Sequence, residues 1–275
     1  MNCKICNSNN ISKNHIGDVA VFNCKNCGIV YLSQFPSIDN ITKLYTDEYL
    51  ISNKSEITEI RRISQAAEQY FLIKSIEKYK CNYSSLVDIG CDKGLFLDEI
   101  RRNGFDTFGV ELSKSSVKYC RNIGLKVENN IADFSRKFDV ITMNHSLEHF
   151  TEPLNEIINL RNFLNPEGIL LVRVPAFDSV WAKILSKRWI WFQAEHHYFH
   201  YSIQSLQKLL ELSGFEVKEI YHRRPSAILS YFNSIITQLS FAKNNVGKFN
   251  VSFLIKQIIK NLTAVEIFVI AQIRD

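Results

Sequence analysis

From Ser85 onward, short apolar runs alternate with amphipathic stretches. Leu86–Ile89, Thr107–Val110, Lys126–Glu128, Phe138–Met143, Ile169–Val174 and Glu216–Tyr221 read as strands, and Glu266–Gln272 as a seventh. Gly104, Gly124 and Gly214 each follow a helical stretch, where a helix commonly ends on a left-handed residue. Asn165-Pro-Glu-Gly168 predicts a turn before the fifth strand. This alternation predicts an α/β fold around a parallel, doubly wound sheet.

Two further apolar patterns flank that block. Upstream, Ile63, Ala66, Ala67, Tyr70, Phe71, Ile73, Lys74 and Ile76 form a stripe near helical spacing, which predicts a helical lead-in over 37–80. Tyr70 is expected to pack on the main domain. Downstream, an insertion over 226–264 carries two amphipathic faces. One holds Ile228, Leu229, Phe232, Ile235, Ile236 and Leu239; the other holds Leu254, Ile255, Ile258, Ile259 and Leu262. They predict packing on the domain or a homodimer contact. The accompanying Lys243, Lys248, Lys256 and Lys260 admit a second reading, contact with a membrane surface or a lipid-linked substrate.

Residues 1–36 follow a different logic. Cys3-Lys-Ile-Cys6 and Cys24-Lys-Asn-Cys27 are two C-x2-C knuckles, each placing two thiolates on one side of a tight turn. Together they predict a closed, structural zinc site with Cys3, Cys6, Cys24 and Cys27 as ligands. So short a segment has little core of its own, so the metal is expected to fold it. Ile29-Val-Tyr-Leu32 reads as the last strand of this ribbon.

The first strand of the α/β block runs into Asp88-Ile-Gly90-Cys-Asp92-Lys-Gly94, and the second ends at Glu111. Glycines at a strand-to-helix turn let a ligand lie against bare backbone. An acid at the end of the neighbouring strand is placed to accept ribose hydroxyls. The spacing is not the G-x-G-x-x-G of dinucleotide folds, and Asp92 is a poor neighbour for a pyrophosphate. A ligand carrying positive charge suits it better.

At these residues the chain resembles the class I S-adenosylmethionine-dependent methyltransferases, whose first motif is D/E-x-G-x-G-x-G. Asp88, Gly90 and Gly94 match; Asp92 replaces the middle glycine. Phe138–Phe150, Leu164–Val172 and Leu212–Val217 are similar to later segments of that family in the same order. The resemblance implies a seven-stranded Rossmann-like methyltransferase sheet with its last strand antiparallel to the sixth. It also implies a site. Asp88, Gly90, Cys91, Asp92 and Gly94 would face the methionine portion of S-adenosylmethionine, and Glu111 would take the ribose with Leu112 against the adenine. Asn130 and Ile131 would lie at the adenine edge and face, and Asn144 beneath the methionine.

For transfer to a hydroxyl a general base is useful. His145 and His149 follow the fourth strand. The run Trp189-Ile-Trp-Phe-Gln-Ala-Glu-His-His-Tyr-Phe-His-Tyr-Ser202 resembles a family segment E-H-x-x-x-H-[FY]-S, in which a histidine lies near the acceptor. His197 or His196 is therefore the expected base, with His149 as the other candidate and Tyr198 as an orienting group. His196 and His200 are spaced i, i+4, a spacing that on a helix would suit a metal.

Net charge is +5 over 275 residues, with no basic run of five. Nucleic acid is thus an unfavoured partner. The loop Asn144-His-Ser-Leu147 lacks the N/D-P-P-Y/F/W pattern of exocyclic-amine methylation, and no cysteine is placed there for pyrimidine C5 chemistry. No signal segment and no apolar stretch of the ~20 residues that span a bilayer appears, so a cytoplasmic protein with thiol or metal-bound cysteines is expected. The expected activity is O-methylation of a small molecule or glycan, such as a sugar of a surface polysaccharide or natural product. The alternatives are a zinc-ribbon RNA methyltransferase and a non-catalytic cofactor-binding scaffold.

Overall fold

The computed structural model describes residues 1–35, 70–79, 84–223 and 265–274. Three strands come first: β1 (Ile11–Ile16), β2 (Val19–Cys24) and β3 (Val30–Leu32). The α/β block follows as β4 (Ser85–Ile89), α1 (Leu95–Arg102), β5 (Asp106–Val110), α2 (Lys114–Asn122), β6 (Lys126–Glu128), β7 (Phe138–Asn144), α3 (Pro153–Arg161), β8 (Leu164–Pro175), α4 (Val180–Leu185), β9 (Phe199–His200), α5 (Ile203–Leu212), β10 (Phe215–Arg223) and β11 (Glu266–Ile273). Seven strands form one sheet in the order β10-β11-β8-β7-β4-β5-β6. β5, β4, β7 and β8 run parallel, and β11 is antiparallel to both β8 and β10. This is the α/β methyltransferase sheet that the sequence predicts.

The sheet is covered on both faces, which is why its central strands read as unbroken apolar runs. Successive side chains on a strand point to opposite faces. Leu86, Val140, Ile169, Leu171, Phe268 and Ile270 therefore enter one core, with Leu97 and Ile100 of α1 and Val117 of α2. Val87, Ile141, Met143, Leu170, Val172 and Val269 enter the other, with Ile157 and Leu160 of α3 and Leu206 and Leu209 of α5. That second core also takes in the N-terminal strands, through Val21, Ile29, Val30 and Tyr31.

The predicted turn Asn165–Gly168 is corrected to a bulge inside β8. Pairing steps from Phe138↔Leu164 to Val140↔Ile169, so the extra residues fold out of the ladder. Pro166 has no N–H to give a ladder, and Asn165 instead donates its amide to Asp139 Oδ1 at 2.7 Å. Gly104, Gly124 and Gly214 take positive φ just past α1, α2 and α5.

Residues 70–77 are helical and bury Leu72 and Ile76. Tyr70, expected to pack, is 65% exposed, because the helix turns Leu72 rather than Tyr70 onto the core. The rest of the predicted lead-in, and the amphipathic faces of 226–264 with their dimer and membrane readings, lie outside the described residues. Among the described residues no helix is long and apolar enough to cross a membrane.

The N-terminal strands gain a fourth that the sequence did not announce. β9 pairs antiparallel with β3 through Val30↔His200 and Tyr31↔Phe199. The Leu32 N–H adds a bond to the Tyr198 carbonyl at 3.0 Å. The histidine-rich segment is therefore built into the sheet of the cysteine unit.

Candidate active site

Parallel α/β sheets bind ligands beyond the carboxyl ends of their strands. At the end of β4 the chain reverses on Gly90, whose φ is +81°. A Cβ built there would lie 2.7 Å from the Ser146 Cβ, so only glycine lets the β4 loop close against the loop after β7. Gly94, with φ +68°, is the N-cap of α1, and a Cβ on it would strike Leu125 at 2.4 Å. Asp92 holds φ +47°, the left-handed conformation the family's middle glycine would supply. Asp is among the few residues that visit that region readily, so the substitution keeps the loop's course.

Glu111 follows β5 and is buried. Its Oε2 accepts the Asp92 N–H at 2.9 Å, and its Oε1 accepts the Ser113 N–H at 2.8 Å. Burial pushes its pKa up, and those two bonds act against the rise. Each oxygen keeps a further lone pair for a ribose hydroxyl. Leu112 beside it is 62% exposed, an apolar face open to an adenine.

The other expected contact residues are engaged within the protein. Asp88 is buried, and its Oδ1 accepts Thr142 Oγ1 at 2.6 Å and Asn144 Nδ2 at 2.8 Å; burial lifts its pKa to about 7. Through that oxygen it braces β7. Asn144 in turn accepts from Arg173 Nε at 2.8 Å, so its amide is fixed between two neighbours. Cys91 is buried, with its sulfur against the Cα of Gly109, which has no side chain there to displace it. The Asn130 side-chain Oδ1 accepts the Ala132 N–H at 2.9 Å and caps a short turn, while Ile131 is packed in the core.

Beyond β7 lies a buried polar cluster. His145 sits at φ +53° with its ring stacked on Trp191, centroids 4.9 Å apart. Its Nε2 meets Glu266 Oε2 at 3.0 Å, and its Nδ1 lies 3.6 Å from Glu148 Oε1. Burial would lower its pKa, but the facing carboxylates of Glu148 and Glu266 raise it to about 9. Glu266 also meets Arg223 Nη1 at 2.6 Å. Burial would raise the Glu266 pKa, yet Arg173, His145 and Arg223 hold it at about 2.

His149 and His197, the two candidate bases, come together, ring against ring with centroids 4.9 Å apart. His149 Nδ1 lies 2.8 Å from the His196 carbonyl, and His197 Nδ1 lies 2.7 Å from the Trp191 carbonyl. A carbonyl only accepts, so both Nδ1 atoms carry a proton, and a ring in its neutral form has its lone pair on Nε2. Burial holds the His197 pKa down at about 4, leaving it neutral near pH 7. Tyr198 acts through its backbone instead of its hydroxyl: its N–H donates to the Glu148 carbonyl at 2.8 Å and its carbonyl accepts from Leu32. The i, i+4 metal reading of His196 and His200 is overturned, because the segment is not helical: His196 sits in a turn whose N–H bonds the Gln193 carbonyl, and His200 in a strand. His200 lies in β9 with its ring on Phe192 at 4.8 Å.

Sequence reasoning missed Glu148, Arg173, Arg223 and Glu266 as members of this cluster. The signal was present in part: Arg173 interrupts Ile-Leu-Leu-Val-Arg-Val, and Glu266 opens Ile-Phe-Val-Ile-Ala. A charge inside a strand buried on both faces requires a partner.

In the N-terminal unit the Cys3 and Cys27 sulfurs stand 3.7 Å apart, and those of Cys6 and Cys24 3.6 Å. All four lie within 4.8 Å of one another. Bonds of ~2.3 Å to a tetrahedral ion put two thiolates about 3.8 Å apart. The donor set is arranged for one ion.

Sheet order, glycine loop and carboxylate together define a class I S-adenosylmethionine-dependent methyltransferase. The chain belongs to the Methyltransferase domain family, whose profile matches residues 57–220, more than half of it. It is similar to ubiquinone biosynthesis O-methyltransferases. The Actinobacillus pleuropneumoniae (serotype 5b) enzyme is 29% identical over 100 residues, covering 31% of this chain and 43% of the relative. The Rickettsia prowazekii enzyme is 26% identical over 135 residues, covering 44% and 52%. The chain thus spans about half, or less, of the curated relatives it matches. Among solved structures, the plantazolicin methyltransferase BamL, in complex with a desmethyl plantazolicin analogue and SAH, aligns with a TM-score of 0.55 at 12% identity, covering 86% of this chain and 96% of that one. BpumL with SAH aligns at 0.53 and 15%, covering 86% and 95%. These two likenesses concern the fold.

Proposed function

We propose that this methyltransferase transfers to an oxygen of a small molecule or glycan, a sugar hydroxyl of a surface polysaccharide or natural product. The observation that carries the reading is the pairing of His149 with His197, each with its Nδ1 fixed by a backbone carbonyl, and His197 held neutral near pH 7 by burial. A cleft of about 490 Å³, lined by Asp18, Lys187, Phe192, Gln193, Glu195 and His196, borders this pair through His196, whose carbonyl meets His149. Ring faces mixed with polar groups suit a polyhydroxylated acceptor. The curated relatives are named O-methyltransferases.

When bound, S-adenosylmethionine supplies a methyl carbon already activated by its positive sulfur. The chain's task is then to orient and to move one proton. The Gly90–Gly94 loop offers backbone to the methionine end, Glu111 holds the ribose, and Leu112 covers the base. Asp88 and Asn144 keep the β4 and β7 loops at a fixed separation. His197 Nε2 takes the proton of the acceptor hydroxyl, with His149 as the other group able to do so. The four cysteines hold a structural zinc ion that keeps β3, and through it β9 and the histidine segment, in place.

The test is transfer of labelled methyl from S-adenosylmethionine to nucleotide-activated sugars, with a transfer-RNA pool alongside. Label in the sugars, lost in His197→Ala, is expected. Label only in RNA would replace this reading with the RNA alternative. Calorimetry without heat on adding the methyl donor would favour a non-catalytic scaffold.

A further inference from the structure

Glu148 is the least explained side chain in the molecule. It is 1% exposed, and neither carboxylate oxygen has a hydrogen-bond donor. Leaving such a group without partners costs several kcal/mol, so a buried charge is normally paired or bound to a metal. Its nearest nitrogens, His145 Nδ1 at 3.6 Å and His197 Nε2 at 3.9 Å, are both beyond hydrogen-bond reach. Protonated His145 faces it from just outside hydrogen-bond distance, and the neutral His197 turns Nε2 toward it.

We propose that Glu148, His149 and His197 form a divalent-cation site, taking a first-row transition ion through one carboxylate and two imidazole Nε2 atoms. Their donor atoms lie within 4.8 Å of one another. The two histidines are prepared as metal ligands usually are: the remote ring nitrogen donates to a fixed acceptor, which sets the tautomer and aims the other nitrogen. The backbone supports the third member, since the Tyr198 N–H holds the Glu148 carbonyl. Two imidazoles and a carboxylate suit zinc, iron, cobalt or manganese better than calcium. Three protein ligands leave coordination positions open, the mark of an ion that handles substrate, unlike the closed four-thiolate set of the N-terminal unit.

The inference deepens the transfer-to-oxygen reading. An ion here would bind the acceptor oxygen and lower the pKa of its hydroxyl; His149 and His197 would then be ligands in place of bases, and the hydroxyl proton would pass to solvent. His145, held protonated by Glu148 and Glu266, already supplies Glu148 with one counter-charge, and the ion would be a second on its other side.

The test is run without methyl donor or acceptor, so it succeeds or fails apart from the assigned reaction. The full chain, with the cysteine site zinc-loaded, is titrated with cobalt(II) under visible spectroscopy and calorimetry. One cobalt per chain is expected, with weak ligand-field bands and no thiolate-to-cobalt charge-transfer band. Glu148→Gln and His197→Ala should each weaken it by on the order of 100-fold, and the exposed neighbour Glu195→Gln should leave it unchanged. If one variant fails to fold by circular dichroism, His149→Gln is read instead. A wild-type chain that binds no cobalt beyond the cysteine site would overturn the proposal. So would binding that survives the Glu148 and His197 substitutions, or that carries the thiolate band.

Discussion

Gly90 concentrates several demands on one position: a left-handed turn, contact with Ser146, and bare backbone toward the donor. In Gly90→Ala the left-handed conformation alone costs about 1–2 kcal/mol. The clash with Ser146 adds to it, so donor affinity measured by calorimetry should fall at least about tenfold. Asp92→Gly should do the opposite of harm to the loop, because the position already has positive φ; donor binding is expected to persist. Glu266 carries a pH signature. Its folded pKa of about 2 lies below its ordinary 4.5. Its stabilising contribution is therefore complete above pH 4.5 and is lost as pH falls from there toward 2. Glu266→Gln should flatten that acid limb in urea unfolding and, by leaving Arg173 and Arg223 short of a partner, cost about 3–5 kcal/mol at neutral pH.

Between elements, the informative contact is β3 against β9. It ties the thiolate unit to the segment that delivers His197, through the Tyr198 backbone. Stripping the cysteine site with a strong chelator, or Cys24→Ser, should therefore cut methyl transfer sharply. Donor affinity should stay within about twofold, since Gly90 and Glu111 lie on other elements. Local reading of the chain could find each partner but not their union. The cysteine knuckles are legible because two thiolates on one turn are a local arrangement. Phe199–His200 is a two-residue strand whose partner lies far away in sequence, and nothing local specifies it. For the same reason Asn165–Gly168 reads as a turn by composition, and only its neighbour β7 turns it into a bulge.

At the level of the whole molecule, the sheet was legible because strands buried on both faces leave unbroken apolar runs, and helix-ending glycines mark the returns. The donor loop was legible too, since its glycines and Glu111 lie close along the chain. The charged cluster was not. Arg173, Arg223, Glu148 and Glu266 sit on separate elements and meet only across the folded sheet. Arg223 and Glu266 stand opposite each other in the β10–β11 ladder, joined side chain to side chain at 2.6 Å. Because β10 runs alongside β11 in the opposite sense, and β11 opposes β8, both residues emerge at the rim where β4, β7 and β8 end. The chain thus leaves the sheet at Arg223 and rejoins it at Glu266 on one rim, the same rim from which the glycine loop after β4 and His145 after β7 project.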